Sequence, residues 1–226
     1  MSVSVSDALK RAIFSLTEAG VLSPARDARL LLAAASGRNV LATDDLTEAE
    51  AARFDGMIAE RTARKPVSHI LGTREFWGRA FRVTPAVLDP RPETETLVEA
   101  ALGGKKPHRI ADIGTGSGCL AITLALEWPD ARVEATDISE KALLVAAQNA
   151  EAHGVADRVS FHLGSWGDPI AAPVDLLLSN PPYIPKAKIS DLAPEVRLRE
   201  PHLALTPGAD GLAAYRAIAL ELPRLM

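Results

Sequence analysis

Val174-Asp175-Leu176-Leu177-Leu178-Ser179-Asn180-Pro181-Pro182-Tyr183 is the stretch on which the fold class turns. Residues 174–179 form a short apolar run, the pattern of a buried parallel strand. Behind it stand an amide side chain and two prolines, which packing alone does not call for. Open α/β sheets bind ligands at the carboxyl ends of their strands, so the turn reads as a site. Neither proline donates a backbone hydrogen bond, and both fix φ. The turn therefore offers acceptors in a stiff geometry: the Asn180 side-chain oxygen and the neighbouring main-chain carbonyls. Such a turn suits a substrate that brings N–H donors, a planar amide or an amino group.

Upstream, three more strand patterns occupy residues 109–113, 132–136 and 159–163, with helical patterns at 120–127 and 142–153 between them. That alternation predicts a parallel sheet with right-handed crossovers. Residues 76–83 carry aromatic and β-branched side chains around Gly78 and read as a hairpin. Residues 87–95, with Pro85, Pro90 and Pro92 in or beside them, read as a stiff connector that ends in a helix starting near Pro92. The amino-terminal part reads as capped helices. Ser6 precedes a run with Leu9, Ile13 and Leu16 on one face, stopped by Gly20. Ser23-Pro24 is an N-cap followed by proline at the first helical position, and Gly37 closes that helix. Thr47-Glu48-Ala49-Glu50 is a capping box that opens a third helix towards Arg64. The chain thus divides into a helical bundle over residues 1–72, a hairpin linker over 73–91 and an α/β domain over 92–226.

Bulk properties narrow the function. With 226 residues, 47% of them hydrophobic, the chain can bury a substantial core. Its net charge of -4 and the absence of a basic tail argue against binding nucleic acid through bulk charge. Up to Glu75 ten basic residues balance ten acidic ones, so the deficit lies in the rest. Cys119 is the single cysteine, which excludes an internal disulfide framework and points to the cytoplasm. No apolar run approaches the ~20 residues of a membrane span, and no signal peptide is read at the start. The five histidines, His69, His108, His153, His162 and His202, show no ligand spacing, so no metal site is expected.

Gly114, Thr115, Gly116, Ser117 and Gly118 lie between the first strand of the alternating region and its helix. Glycines there let backbone approach a ligand closely, although a tight strand-to-helix turn needs them too. Asp137 ends the second strand, where a carboxylate can accept both ribose hydroxyls of a nucleoside; capping the next helix is the alternative, and Ser139 suits that task equally well. The two together fit adenosine-containing ligands, NAD and S-adenosylmethionine among them. The spacing Gly-x-Gly-x-Gly departs from the dinucleotide pattern Gly-x-Gly-x-x-Gly and disfavours NAD. Trp166, after the third strand, suits an adenine wall or a core position. Cys119 reads as a small core residue rather than a nucleophile.

Together, Gly114 to Gly118, Asp137 and Asn180, Pro181, Pro182, Tyr183 resemble class I S-adenosylmethionine-dependent methyltransferases that modify amide or amino nitrogens. Three further segments resemble the PrmC/HemK family in particular: Asp89-Pro90-Arg91-Pro92-Glu93-Thr94-Glu95, Pro66-Val67-Ser68-His69-Ile70-Leu71-Gly72, and Glu200-Pro201 followed by Ala204-Leu205, Gly208, Asp210-Gly211-Leu212 and Tyr215-Arg216. The resemblance covers essentially the whole chain. It implies a Rossmann-like methyltransferase sheet with a helical substrate-binding bundle and a hairpin linker. The implied reaction is transfer of a methyl group from S-adenosylmethionine to the glutamine side-chain nitrogen in the Gly-Gly-Gln motif of peptide chain release factors, leaving S-adenosylhomocysteine.

By the same resemblance, Gly114, Thr115, Gly116, Ser117 and Gly118 wrap the methionine and ribose portions, Asp137 holds the ribose hydroxyls, Trp166 flanks the adenine, and Asn180 also contacts the cofactor. Asn180 and the carbonyl of Pro181 fix the amide, Pro182 stiffens the turn, and Tyr183 walls the glutamine slot or serves packing alone. Arg91 to Glu95 lie over the cofactor, or Glu93 and Glu95 simply begin a helix. Family members continue past the equivalent of Met226 with further strands, so the sheet is expected to have order 3-2-1-4, incomplete at the carboxyl-terminal edge, in a truncated chain prone to associate. Two rival readings are a nucleic-acid amino-methyltransferase and a non-catalytic protein that binds a release factor.

Overall fold

The computed structural model describes residues 3–171 and 173–226. They form two compact units, Met1–Gly72 with Pro194–Arg199, and Thr73–Ala193 with Glu200–Met226.

The first unit opens with a two-residue strand β1 (Val3–Ser4) and continues through α1 (Val5–Glu18), α2 (Pro24–Ser36), strand β2 (Asp45–Leu46), α3 (Glu48–Thr62) and α4 (Val67–Leu71). Helix α1 starts earlier than Ser6, because Ser4 is the residue whose hydroxyl accepts the Asp7 N–H. Val5, Ala8, Ala12 and Leu16 then fall on one face at helical spacing and are buried. The capping box of α3 forms with Thr47 and Glu50, whose carboxylate also takes Arg38. Ser23 stands at the start of α2 but makes no side-chain cap; proline alone sets that entry. Leu16, Leu31, Leu46 and Phe54 make the fully buried centre of this bundle. Burial of such side chains stabilises it by roughly 1.5–3 kcal/mol each.

The second unit begins with hairpin β3 (Thr73–Phe76) and β4 (Arg79–Arg82), joined through Trp77 and Gly78, both at positive φ. A two-residue loop with both φ positive matches the twist of the flanking strands. The first strand therefore lies upstream of the 76–83 span that the aromatics suggested. Phe76 and Phe81 pack edge to face beneath it. A 3₁₀ turn at Pro92–Thr94 leads into α5 (Glu95–Leu102). The sheet and its helices follow as β5 (Arg109–Ile113), α6 (Cys119–Glu127), β6 (Arg132–Asp137), α7 (Glu140–Ala152), β7 (Val159–Leu163) and β8 (Leu176–Leu178). All pairings in this sheet are parallel, in the order β7-β6-β5-β8. Central β5 is buried from Ile110 to Ile113, and α6 is buried from Cys119 to Ala125. This is the parallel α/β sheet that the alternation predicts, in the Rossmann-like arrangement that the resemblance implies, with β8 at one end of the described strands.

Helix α8 (Pro194–Arg199) belongs to the first unit, where Glu195 pairs with Arg61 and Arg64. The chain then completes the second unit with α9 (His202–Leu205) and α10 (Ala213–Leu225). Ile218 and Leu225 of α10 pack with Ala111, Ile113 and Val174.

Candidate functional site

The carboxyl ends of β5, β6 and β8 open on a pocket of about 500 Å³ in the second unit, within the size range of small-molecule sites. Gly114, Thr115, Gly116, Ser117, Asp137, Trp166, Asn180 and Pro182 all line it. Gly118, Pro181 and Tyr183 do not line it.

The glycine turn divides its labour. Gly114, Gly116 and Gly118 have φ of 77°, 56° and 80°, a region that suits glycine. A β-carbon on Gly114 or Gly116 would meet no protein atom within 4 Å, whereas one on Gly118 would come within 2.9 Å of Ile122 and 3.1 Å of Ala146. The first two glycines therefore leave room for a ligand, and the third lets α6 and α7 pack against the turn. That open cradle fits the sulfonium cofactor that the sequence suggested.

Asp137 is tied to the turn. One carboxylate oxygen accepts the Gly116 N–H at 2.9 Å and the other accepts the Ser139 N–H at 2.9 Å. The cap of α7 is Ser139, whose hydroxyl accepts the Ala142 N–H, so Asp137 remains at the pocket wall. Burial raises its pKa, against the lowering effect of those N–H donors. Asp112, behind the turn, accepts the Thr115 hydroxyl at 2.7 Å and the Ala121 N–H at 3.2 Å. Burial pushes its pKa up to about 6, with Thr115 and Ala121 opposing and the Asp137 charge adding to it. Cys119 is pushed up to about 12 by burial and by Asp112, so it stays a thiol.

Trp166 is half-buried with φ 46°, beyond the ordinary range for a side chain of its size. Its carbonyl accepts the buried Thr136 hydroxyl at 2.6 Å, and Arg224 of α10 donates to the next carbonyl, Gly167, at 2.8 Å. The tryptophan is thus held against the pocket by two anchors that local sequence did not disclose.

Asn180 follows β8 directly. Ser179 donates to the Ile113 carbonyl at 2.6 Å and fixes the end of the strand. The Asn180 amide nitrogen donates to the Thr94 hydroxyl at 2.9 Å. Pro181 is buried, and Tyr183 is 56% exposed. The next segment is held by main-chain bonds from Ile184 to Leu205 and from Lys186 to Gly208. Gly211 is pressed against the Tyr183 carbonyl, where a β-carbon would come within 2.4 Å.

Of the 91–95 stretch, Arg91 and Thr94 line the pocket, while the Glu95 carboxylate accepts the Trp77 N–H at 2.7 Å and serves the hairpin turn. Arg91 donates from Nη2 to both carboxylate oxygens of Glu200, at 2.7 and 2.8 Å. Burial raises Glu200 to about 7; Arg91 opposes this and Asp89 adds to it. Asn149 carries no signal in its local sequence, a helical stretch rich in alanine. Its buried amide donates to the Ser117 and Arg82 carbonyls and accepts the Arg82 N–H, joining the glycine turn to β4. No group of three potential metal ligands occurs among the described residues, and no helix there is long and apolar enough to cross a membrane.

Residues 7–72 match the PrmC N-terminal domain, and residues 92–209 match the methyltransferase small domain. The release factor glutamine methyltransferase of Cereibacter sphaeroides is 53% identical over 224 residues, spanning 96% of this chain and 80% of its own length. The protein of the same name from Rhodospirillum rubrum is 45% identical over 229 residues, spanning 96% and 69%. A solved S-adenosylmethionine-dependent methyltransferase from Geobacter sulfurreducens, in complex with S-adenosylhomocysteine, is 27% identical over 53% of this chain and 46% of that one, with a TM-score of 0.34. So partial a structural likeness decides nothing by itself, and the fold class rests on the strand order.

Proposed function

The chain belongs to the release factor glutamine methyltransferase family, and from that membership we propose that it methylates the side-chain amide nitrogen of the glutamine in the Gly-Gly-Gln motif of a peptide chain release factor. The observation that carries this reading is the meeting of Asn180 with the glycine turn and Asp137 on one pocket at the carboxyl ends of parallel strands.

S-adenosylmethionine, when bound, supplies a methyl group made electrophilic by a sulfonium. The residues that would hold it are Gly114, Thr115, Gly116 and Ser117 for the methionine and ribose portions, Asp137 for the ribose hydroxyls and Trp166 for the adenine, while Gly118, off the pocket, lets α6 and α7 pack against the turn. An amide nitrogen is a weak nucleophile, because its lone pair is delocalised into the carbonyl. The task left to the protein is orientation, worth up to about 7–11 kcal/mol in favourable cases. The Asn180 side-chain oxygen and the Pro181 carbonyl accept the two N–H bonds of the glutamine amide. Acceptors there also stabilise positive charge as it builds on nitrogen. Tyr183, exposed beside the pocket, is placed to meet the substrate peptide rather than the cofactor. This scheme requires no strong general base, and the proton released on methylation passes to water.

In this reading the helical unit over residues 1–72 grips the release factor, residues 73–91 link, and residues 92–226 carry the chemistry, in the cytoplasm and without a metal. The names of the relatives favour a protein glutamine over a nucleic-acid base as acceptor.

The test is mass spectrometry of an unmethylated release factor incubated with the full chain and S-adenosylmethionine, alongside Asn180→Ala. One added methyl on the Gly-Gly-Gln peptide, absent with the variant, is expected. Transfer to duplex DNA or RNA instead would overturn the reading.

A further inference from the structure

Thr94 ends the 3₁₀ turn Pro92–Thr94 and leads straight into α5 with helical φ of -70° and ψ of -20°. Here it makes no side-chain cap. It is 6% exposed, lines the pocket, and its hydroxyl accepts the amide nitrogen of Asn180 at 2.9 Å across 86 residues of chain. The hydroxyl thus serves the turn after β8 and not its own helix.

The two ends of an asparagine amide are nearly the same in shape and opposite in hydrogen-bonding sense, so rotation by half a turn exchanges donor and acceptor. Only one of the two orientations leaves an acceptor for a substrate amide. We infer that Thr94 is the positioning residue that holds the Asn180 amide with its nitrogen on the hydroxyl and its oxygen free to accept the substrate N–H. This deepens, and rests on, the reading of the site as a glutamine methyltransferase.

The support for Thr94 is itself rigid. Its N–H donates to the Arg91 carbonyl at 3.0 Å, Pro92 fixes φ within the same turn, and Glu95 anchors the segment on the hairpin through the Trp77 N–H. On the other side, Ser179 ties the end of β8 to Ile113. Asn180 is therefore fixed through its backbone by one neighbour and through its amide by the other. A fixed acceptor acts on the orientation of the reacting nitrogen, so its loss falls on turnover rather than on cofactor binding.

The experiment compares wild type, Thr94→Val and Thr94→Ser as full chains with an unmethylated release factor. Valine keeps the shape and removes the hydroxyl; serine restores the hydroxyl without the methyl. For Thr94→Val we expect kcat to fall about 10- to 100-fold, with calorimetric affinity for S-adenosylmethionine kept within about twofold and Thr94→Ser close to wild type. Unchanged kcat in Thr94→Val would overturn the inference. So would a loss of cofactor affinity and melting temperature in step with kcat, which would make Thr94 a structural residue. Side-chain amide NMR of Asn180 gives a reading independent of turnover: a shifted or faster-exchanging pair of amide protons in Thr94→Val supports the orientation, and an unchanged pair refutes it. A wild-type chain inert towards release factor would sink the substrate reading, and the amide signals would still decide the role of Thr94.

Discussion

The Asp137 carboxylate accepts the Gly116 N–H at 2.9 Å, so the end of β6 holds the glycine turn that follows β5. The same carboxylate is expected to meet the ribose hydroxyls, which couples the shape of the turn to occupation of the pocket. Asp137→Ala removes both functions. A hydrogen bond to a charged group contributes about 1.5–3 kcal/mol. Affinity for S-adenosylmethionine should therefore drop at least about tenfold by calorimetry, and Asp137→Asn, which keeps an acceptor for Gly116, should lose less.

Gly116→Ala and Gly118→Ala should fail in different ways. Both positions have positive φ, which disfavours alanine by about 1–2 kcal/mol. At Gly118 the new methyl also collides with Ile122 and Ala146, adding an overpacking term of about 1–3 kcal/mol. Denaturant unfolding should show the larger loss for Gly118→Ala. Gly116→Ala should show the larger loss of cofactor affinity relative to its loss of stability.

Asn149→Ala should loosen the glycine turn without touching a ligand. It strips partners from the buried Ser117 carbonyl and from the part-buried Arg82 carbonyl and N–H. Each buried polar group left unsatisfied costs about 1–3 kcal/mol. A fall of several degrees in melting temperature is expected, with faster amide exchange at Ser117 and Arg82; an unchanged melting temperature would show that the bridge contributes nothing.

Glu200 supplies a pH signature. Its pKa is raised from 4.5 to about 7, because burial outweighs the attraction of Arg91. A carboxyl raised on folding binds more protons in the folded chain than in the unfolded one, so stability falls as pH rises across that window. One proton changes stability by at most about 1.4 kcal/mol per pH unit. Glu200→Gln removes this dependence. Melting curves of variant and wild type should shift in favour of the variant from pH 5 to pH 7.5; a constant difference would place Glu200 at an ordinary pKa.

Much of the sheet could be read from local pattern. Strands 109–113 and 159–163 lie where the runs of apolar residues put them, and β6 extends one residue further, to Asp137. Boundaries were less legible. Helix α1 begins at Val5 because the Ser4 hydroxyl, not that of Ser6, reaches a free N–H. The hairpin begins three residues earlier, at Thr73, and ends one earlier, at Arg82, because Trp77 joins Gly78 in the turn at positive φ, a conformation that composition alone does not reveal in a tryptophan.

The sequence by itself determined the order of strands and helices, the glycines at the turn after β5, and the amide and prolines after β8. These are short-range properties, carried by side-chain period, φ preference and missing donors. The tertiary structure decided which of these groups share a pocket. It set Thr94 against Asn180, Arg91 against Glu200, Asn149 under Ser117 and Arg224 beside the loop of Trp166. Those pairs are separated by 86, 109, 32 and, for Arg224 and Gly167, 57 positions. A hydrogen bond needs its atoms within about 3 Å, and only the register of the parallel strands and the path of the returning chain bring such distant residues so close.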